Sequence, residues 1–270
     1  MKGVILAGGK GTRLYPLTAS TNKHLVAIGD VPMIEYPLHT LRKMGINDLS
    51  VVTGGEHFSD VQRYLSMVHP SINFSYYCQT NASGIAKALE AAKPVLNGGK
   101  IAVVLGDNIL EEDFTDAARE FEDSDLGAML FLKPGREDDL YFTDANGIRR
   151  ARFGIVEVMG GKVISIEEKP VHPKSNLVSV GLYFYDQTVF DKIKTLKPSS
   201  RGEYEITGVS DLYLQEGRLG YHLVNGFWGD AGTFKSRAIC EEFVKQNLQA
   251  EVLEEMIERE NDELLKKNLG

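Results

Sequence analysis

Residues 4–14, Val-Ile-Leu-Ala-Gly-Gly-Lys-Gly-Thr-Arg-Leu, decide how this chain is expected to fold. The apolar run 4–6 has the character of a short buried strand, and three closely spaced glycines follow it. Glycines let the backbone turn tightly, so its N–H groups can approach an anion, and Arg13 adds a planar cation that grips phosphate oxygens. The segment predicts an N-terminal strand followed by a phosphate-binding loop.

Two common nucleotide-binding patterns do not fit this loop. Leu14 stands where the dinucleotide pattern G-x-G-x-x-G needs its last glycine, and no Gly-Lys-Ser/Thr triplet follows at P-loop spacing. The second predicted strand ends in Thr53-Gly54-Gly55, with no carboxylate for a ribose before Glu56. The sequence therefore disfavours an NAD-dependent oxidoreductase and a P-loop NTPase.

Outward from this loop, apolar runs alternate with helix-like stretches up to the clearest strand signal, residues 101–105, which is closed by Gly106-Asp107. Further strands are predicted at 49–53 and 72–77, and helices at 32–44, 58–68 and 84–92. Pro37 is expected to distort the first of these helices. The order predicts an α/β fold with a doubly wound, mostly parallel, Rossmann-like sheet. Because ligands bind at the carboxyl ends of parallel strands, the glycine loop and Asp107 should share one cleft.

The second half of the chain is richer in strands. The runs 154–157 and 162–168 are joined by Met159-Gly160-Gly161, which is a hairpin signal, and residues 179–185 predict a further strand. These elements predict a smaller, strand-rich lobe packed against the first half. The polar stretch 135–152 is interpreted as an inserted loop or an exposed hairpin.

The C-terminal segment is amphipathic. Its apolar residues recur at helical spacing, and they predict a helical tail that either packs on the body or forms a subunit contact: Val244, Leu248, Val252, Met256 and Ile257. The last 30 residues also hold nine acids and four bases, a large share of the formal net charge of −8. The remaining body is close to neutral and can therefore bind anionic substrates.

Composition excludes several classes of protein. Hydrophobic residues make up 43% and charged residues 25% of the 270 residues, which is typical of a globular chain. Cys78 and Cys240 are too few for a disulfide framework, and the six histidines lack metal-binding spacing. There is neither a long apolar run nor the layout of a signal peptide. We therefore expect a cytoplasmic protein that binds no membrane, and the acidic balance disfavours nucleic acid.

Six motifs, in order, resemble those of the sugar-1-phosphate nucleotidyltransferases, with the strongest likeness to the glucose-1-phosphate thymidylyltransferase group. They are Gly8–Thr18 with Lys23 and Pro32–Ile34, then Leu105–Asn108, Glu168–Pro170, Gly181–Asp186, Arg201–Thr207 and Trp228–Thr233. The resemblance covers roughly residues 1 to 235. It implies a nucleotidyltransferase domain over 1–235, with a nucleotide half at about 1–130 and a sugar-binding half at about 131–235. A C-terminal helical segment would occupy 236–270.

The resemblance implies a reaction. A nucleotidyl group would pass from dTTP to glucose 1-phosphate, or a related sugar 1-phosphate, by Mg²⁺-assisted in-line attack on the α-phosphorus with release of pyrophosphate. The same transfer with UTP or another sugar 1-phosphate, and a non-catalytic nucleotide-sugar-binding regulator, are the alternatives. The implied partners are a nucleoside triphosphate and a sugar 1-phosphate, and we expect a homo-oligomer.

The resemblance also implies roles for individual residues. The expected catalytic groups are Arg13, Lys23 and Asp107, and the expected Mg²⁺ ligands are Asp107 and Asp230. The expected nucleotide-binding residues are Gly8, Gly9, Gly11, Thr12, Arg13, Lys23, Gln79 and Gly84. The expected sugar-phosphate-binding residues are Gly154, Glu168, Lys169 and Val180. Several features depart from the family pattern. Phe153 and Val180 replace a common Tyr and Thr, and the segment 135–152 is longer than the corresponding loop. Gly and Ala stand within Trp228–Thr233 where Leu and Thr are usual, and Ala27 and Gly29 interrupt the loop after Lys23.

Overall fold

The computed structural model describes residues 1–81, 83–94, 96, 98–137 and 139–257. The strands are β1 (Lys2–Ala7), β2 (Ala27–Ile28), β3 (Val31–Pro32), β4 (Leu49–Gly54), β5 (Phe74–Gln79), β6 (Ile101–Leu105), β7 (Asn108–Leu110), β8 (Ala128–Pro134), β9 (Tyr141–Thr143), β10 (Arg149–Ala151), β11 (Gly154–Met159), β12 (Lys162–Glu168), β13 (Leu177–Tyr185), β14 (Leu219–Leu223) and β15 (Trp228–Asp230). The α-helices are α1 (Glu35–Lys43), α2 (Phe58–Val68), α3 (Ile85–Ala91), α4 (Thr115–Asp123), α5 (Val189–Thr195), α6 (Ile206–Gln215) and α7 (Phe234–Asn247).

A nine-stranded sheet forms the centre of the molecule. Its parallel part runs in the order β6-β1-β4-β5, and the long strand β13 joins it by pairing antiparallel with β6. On its other side β13 pairs with β8, which pairs with β14, and the start of β13 also meets the β11–β12 hairpin. The carboxyl ends of β1 and β6 are therefore neighbours, as the sequence predicts.

Both faces of the sheet are covered by helices, because the central strands are apolar on both faces. Along β1, Ile5 and Ala7 face one buried cluster together with residues of α1, α2 and α4. Val4 and Leu6 face the opposite cluster, together with residues of α3, α5 and α6. This arrangement confirms the predicted doubly wound α/β fold.

The first helix differs from its predicted extent. It begins at Glu35, three residues later than expected, because Val31–Pro32 pairs with Ala27–Ile28 as a short ladder. Pro37 consequently lies in the first turn of α1, where its missing N–H has no helical partner to lose. The expected distortion of the helix interior by Pro37 is therefore wrong.

The second half is rich in strands, as predicted, but β8 and β11–β14 extend the central sheet instead of forming a separate layer. Strands β11 and β12 are joined by Gly160 and Gly161, which have φ values of 57° and 74°, the left-handed pair that a tight hairpin turn requires. The polar segment forms a second, smaller hairpin in which β9 pairs antiparallel with β10. We refer to residues 139–153 as the β9–β10 hairpin region.

The C-terminal segment packs on the body. Val244, Leu248 and Val252 are buried in a cluster with Leu14 and Ile109, and ion pairs from 251 and 255 to α1 flank it. Residues 249–257 are helical. Residues 258–270, the rest of the predicted helical segment, lie outside the described part of the chain. The division at residue 235 stays a proposal. Among the described residues, no helix has the length and apolar character needed to cross a membrane.

Candidate active site

A cavity of about 240 Å³ opens at the carboxyl ends of β1, β5 and β6. Its lining includes Asp107 and most of the residues expected to bind a nucleotide: Gly8, Gly9, Lys23, Gln79 and Gly84. A cavity of about 660 Å³ lies beside it, and Ile85 and Leu105 line both. We call them the smaller and the larger cavity.

Glycines bring backbone close to the smaller cavity. A β-carbon on Gly8 would lie 2.8 Å from Gln79 Oε1, and one on Gly9 would lie 3.0 Å from Lys23 Cε. Gln79 Nε2 in turn donates to the carbonyl of Gly84 at 3.1 Å. Side chains at these positions would fill the space between loop and strand, so the glycines keep backbone N–H groups accessible to a ligand.

A tight ion pair lies at the floor of the smaller cavity. Lys23 Nζ lies 2.5 Å from Asp107 Oδ2, and both side chains are 12% exposed. Burial alone would raise the pKa of Asp107, but the charge of Lys23 and a hydrogen bond from Asn108 outweigh it and hold this pKa below its usual range. The structure thus keeps a carboxylate and an ammonium charged side by side.

His24 lies behind this pair and is neutral. Burial, reinforced by the charge of Lys23, lowers the pKa of His24 to about 3. Asn22 Oδ1 accepts hydrogen bonds from the backbone N–H of His24 at 2.9 Å and lies 2.7 Å from its Nδ1. The neutral ring is held in place against Gly106, next to Asp107, and adds no charge to the site.

The second expected metal ligand comes from the far end of the chain. Strand β15 pairs with β7, which places Asp230 opposite Asn108 and beside Asp107. A β-carbon on Gly232 would lie 2.6 Å from Asp230 Oδ1, 3.1 Å from Arg13 Nη2 and 3.4 Å from Asp107 Oδ2. Two carboxylates and a guanidinium therefore converge where the two cavities meet.

This convergence fits a divalent cation. Burial and the negative charge of Asp107 raise the pKa of Asp230, and a cation between the two carboxylates would relieve that repulsion. Among the described residues no group of three or more His, Cys, Asp or Glu could hold a metal. A pair of carboxylates completed by ligand oxygens and water is the kind of site that Mg²⁺ accepts.

The larger cavity is bordered by charged side chains from both lobes. Its lining includes five residues expected from the sequence, all charged except Gly154: Arg13, Gly154, Glu168, Lys169 and Asp230. Glu168 accepts a hydrogen bond from Thr207 at 3.1 Å and lies 3.4 Å from Lys169 Nζ and 3.6 Å from Arg201 Nη2. Burial raises the pKa of Glu168, although the two cations oppose this effect.

Lys169 has an unusual backbone conformation. Its φ of 44° is in the left-handed region, at a cost of roughly 1 kcal/mol or more for a residue other than glycine. Its N–H bonds to the carbonyl of Phe153 at 3.2 Å, across the end of the β11–β12 hairpin. This conformation places Lys169 beside Glu168 at the wall of the larger cavity, and such strain is common at binding sites.

Three expected site residues are not among those that line the two cavities. Gly11 has a φ of 65°, and a β-carbon there would lie 2.8 Å from Lys23 Cβ, so it supports the loop. Thr12 begins the short turn that bears Arg13. The side chain of Val180 is buried in the core, while its neighbours Ser179 and Gly181 line the larger cavity.

Other residues of the site were not predicted from the sequence. Asn108 accepts hydrogen bonds from Trp228 Nε1 at 2.7 Å and from the N–H of Gly181 at 3.0 Å, and it donates to Asp107. It thereby ties β13 and β15 to the carboxylate. Three of these residues lie within the motifs that resemble the family, so the motifs could have indicated them as site residues: Asn108, Trp228 and Arg201. Arg152 and Asp139, from the β9–β10 hairpin region, had no such signal.

Comparisons with known proteins agree with this arrangement. A family model described as Nucleotidyl transferase matches residues 2–247. A glucose-1-phosphate thymidylyltransferase of Neisseria meningitidis serogroup A is 38% identical over 266 residues, which cover 95% of this chain and 88% of that protein.

Two solved structures are similar as well. A protein described as a glucose-1-phosphate thymidylyltransferase from Bacillus anthracis, solved in complex with sucrose, superposes with a TM-score of 0.81 at 40% identity over 90% of this chain and 94% of that one. A UDP-glucose pyrophosphorylase complexed with UDP-glucose has a TM-score of 0.78 at 18% identity, covering 91% and 98% of the two chains. The second likeness concerns the fold alone.

Proposed function

The chain belongs to the nucleotidyl transferase family, and from that premise we propose that it transfers a thymidylyl group from dTTP to glucose 1-phosphate, with Mg²⁺ as cofactor. The observation that supports this reaction most directly is the convergence of Asp107, Asp230 and Arg13 at the meeting point of two cavities. One cavity is suited to a triphosphate and its base, and the other to a sugar phosphate.

The triphosphate binds in the smaller cavity. The backbone of Gly8 and Gly9, with the Gly11–Thr12 turn behind it, surrounds the phosphates, while Lys23 and Arg13 neutralise them. Gln79 offers its amide to the base edge next to Gly84, at the start of α3. These contacts fix the α-phosphorus close to Asp107.

The sugar phosphate binds in the larger cavity. Lys169 and Arg201 provide the positive charge for its phosphate, and Glu168 accepts hydrogen bonds from ring hydroxyls. Gly154 lets the ring approach the backbone, since a β-carbon there would lie 2.7 Å from Thr207 Cγ2. Val180 supports this wall from the core through its backbone neighbours.

The protein contributes mainly by placing two anions in line. A phosphate oxygen of the sugar phosphate attacks the α-phosphorus, and the bond to pyrophosphate breaks without a covalent enzyme intermediate. Mg²⁺ held by Asp107 and Asp230 would supply charge neutralisation at the reacting phosphoryl group. Arg13 and Lys23 stabilise the charge that develops on the leaving pyrophosphate.

A matrix assay tests the proposal. Purified protein with Mg²⁺ is incubated with each of dTTP, UTP, ATP and GTP against glucose, galactose, mannose and N-acetylglucosamine 1-phosphates, and pyrophosphate is measured. We expect the highest kcat/KM with dTTP and glucose 1-phosphate and loss of activity with EDTA. A thymine methyl group adds only about 1 kcal/mol of contact, so UTP should be the next best donor. A preference for another donor and acceptor would identify that pair as the substrates. Absence of pyrophosphate release with every pair would refute catalysis.

A cytoplasmic location and a homo-oligomeric state also remain proposals. Light scattering coupled to size-exclusion chromatography tests the second, with a mass above 29.9 kDa as the expected result.

A further inference from the structure

The β9–β10 hairpin region forms one wall of the larger cavity. Five residues between 139 and 153 line it, three of them aromatic: Asp139, Tyr141, Phe142, Arg152 and Phe153. The region is anchored, because Leu140 and Ala151 are buried in a small cluster with Ile155 and Val178. Phe153 also packs edge-on against Trp228, with ring centroids 5.0 Å apart. The hairpin is thus a fixed part of the cavity.

An ion pair lies within this wall. Arg152 Nη1 donates to the carboxylate of Asp139, and the side chains are 12% and 21% exposed. The backbone N–H of Arg152 donates to the carbonyl of Leu140 at 2.8 Å, which fixes its position at the end of the hairpin. Both members of the pair line the cavity.

One hydrogen-bond donor of the pair is unused. Arg152 Nη2 is buried and has no hydrogen-bond partner among the residues that the structure describes. An unpaired buried donor is unfavourable, so its presence in a folded protein calls for an explanation. This donor belongs to a side chain that borders the cavity proposed for the sugar phosphate.

We propose that the Asp139–Arg152 pair binds a ring hydroxyl of the sugar 1-phosphate and so selects the acceptor. The inference rests on the proposed function, because it assigns the larger cavity to the acceptor. Both side chains line the cavity and are 12% and 21% exposed, so a hydroxyl can accept from the Arg152 guanidinium and donate to Asp139. A carboxylate substituent would meet the negative charge of Asp139, so the pair favours neutral, hydroxylated sugars over uronic acids. The aromatic side chains beside the pair suit the apolar faces of such a ring.

The hairpin offers a matched control. Arg150 is the neighbouring arginine on β10 and is likewise paired, with Nε 2.7 Å from Asp144 Oδ2. It is not among the residues that line the larger cavity. Arg150→Met therefore removes a paired arginine from the same hairpin without touching the proposed contact.

The test combines variants with altered substrates. Wild type, Arg152→Met, Arg152→Lys and Arg150→Met are assayed with the best donor against hexose 1-phosphate and its 2-, 3-, 4- and 6-deoxy analogues, after thermal melts have shown which variants fold. In the wild type we expect at least one deoxy analogue to lose about 10- to 100-fold in kcat/KM. Arg152→Met should abolish the discrimination at one of those positions and leave the KM for the triphosphate within about twofold. Arg150→Met should retain the wild-type pattern.

Several outcomes would overturn the inference. They are a wild type indifferent to every deoxy analogue, an Arg152→Met variant with wild-type discrimination at all positions, and equal losses in Arg150→Met. If Arg152→Met does not fold, Arg152→Lys decides: it retains the charge but not the planar donor pair, and unchanged discrimination would reject the assignment. If the wild type is active and the Arg152 variants keep its discrimination against deoxy analogues, only this inference is refuted. If the wild type is inactive with every substrate pair, the proposed function is refuted.

Discussion

The two cavities meet at Asp107 and Asp230 but are built differently. The smaller cavity is made of short loops after parallel strands, with glycines at close approach and the Lys23–Asp107 ion pair of 2.5 Å. The larger cavity is made largely of side chains from the strand-rich second half, with ion pairs of 3.4 and 3.6 Å around Glu168 and the Asp139–Arg152 pair in its wall. Its outer wall is an additional hairpin.

This difference separates positions that tolerate little change in sequence from positions where substitutions can be accommodated. A glycine loop admits no replacement without a clash, so the triphosphate side tolerates little change in sequence. A wall of side chains can change its hydrogen bonds by substitution at one position, and a hairpin can be lengthened on the surface. We infer that the acceptor side is where related enzymes of this family can differ in specificity.

The largest expected effect is at the shared floor of the site. Asp107→Asn should lower kcat by about 10³-fold, because it removes the charge of a proposed metal ligand and the anionic partner of Lys23. It should also destabilise the protein by about 3 kcal/mol, since Lys23 is then buried without an anion. Steady-state kinetics and thermal melts measure the two effects. The double variant Lys23→Met/Asp107→Asn should recover stability but not activity; an Asp107→Asn enzyme with full kcat would contradict the metal assignment.

A smaller effect is expected from Gly232→Ala. The new β-carbon would lie 2.6 Å from Asp230 Oδ1, so the carboxylate must move away from Asp107. We expect kcat to fall by about 30- to 100-fold and the Mg²⁺ concentration for half-maximal activity to rise. The control is Gly208→Ala on α6, whose β-carbon would meet only Leu196 Cδ2 at 3.2 Å. Similar losses in both variants would show a general effect of the added methyl group.

The acceptor side alone should respond to Arg201→Met. Its guanidinium lies 3.6 Å from Glu168 at the wall of the larger cavity, so its removal takes away one of the two cations beside that carboxylate. We expect the KM for glucose 1-phosphate to rise about tenfold and the KM for dTTP to stay constant. Arg218→Met, which breaks a pair with Asp186 away from both cavities, is the matched control. A change in the KM for dTTP would mean that the two sides are not independent.

The smallest effect is a pH dependence confined to the acceptor side. Because burial raises the pKa of Glu168, this carboxyl takes up a proton on acidification while ordinary glutamates are still charged. A protonated Glu168 accepts fewer hydrogen bonds, so the KM for glucose 1-phosphate should rise a few-fold as the pH falls. The effect should be absent in Glu168→Gln. Parallel changes in both KM values would assign it to another group.

Much of the fold was predictable from local sequence. The apolar run 101–105 and the run before Gly8 are long enough and apolar enough to be central strands, and the glycines and Asp107 mark their carboxyl ends. Strand order and spacing therefore placed the smaller cavity correctly. Pro37 was misjudged because its effect depends on where the helix begins, and helix ends are set by tertiary pairing of β2 with β3.

The larger cavity was less predictable, because it depends on contacts between distant residues. Asn108 meets Trp228 across 120 positions in the sequence, and no periodicity reports such a contact. The register of β13 against β8 shifts between Ser179 and Tyr183, so simple alternation does not indicate which of Ser179, Val180 and Gly181 faces the cavity. The pairing of Arg152 with Asp139 depends on how the hairpin turns back, which the polar composition of 135–152 does not specify.

The pairing of β7 with β15 has a consequence for the order in which parts of the site form during translation. Asp107 is translated long before Asp230, and Ala231, which follows Asp230, is buried in one cluster with Cys240, Val244 and Val252. The parallel strands and the glycine loop can form while synthesis continues, but the two carboxylates cannot meet until the C-terminal helices have emerged. A nascent chain can therefore form the proposed triphosphate cleft before the two carboxylates meet.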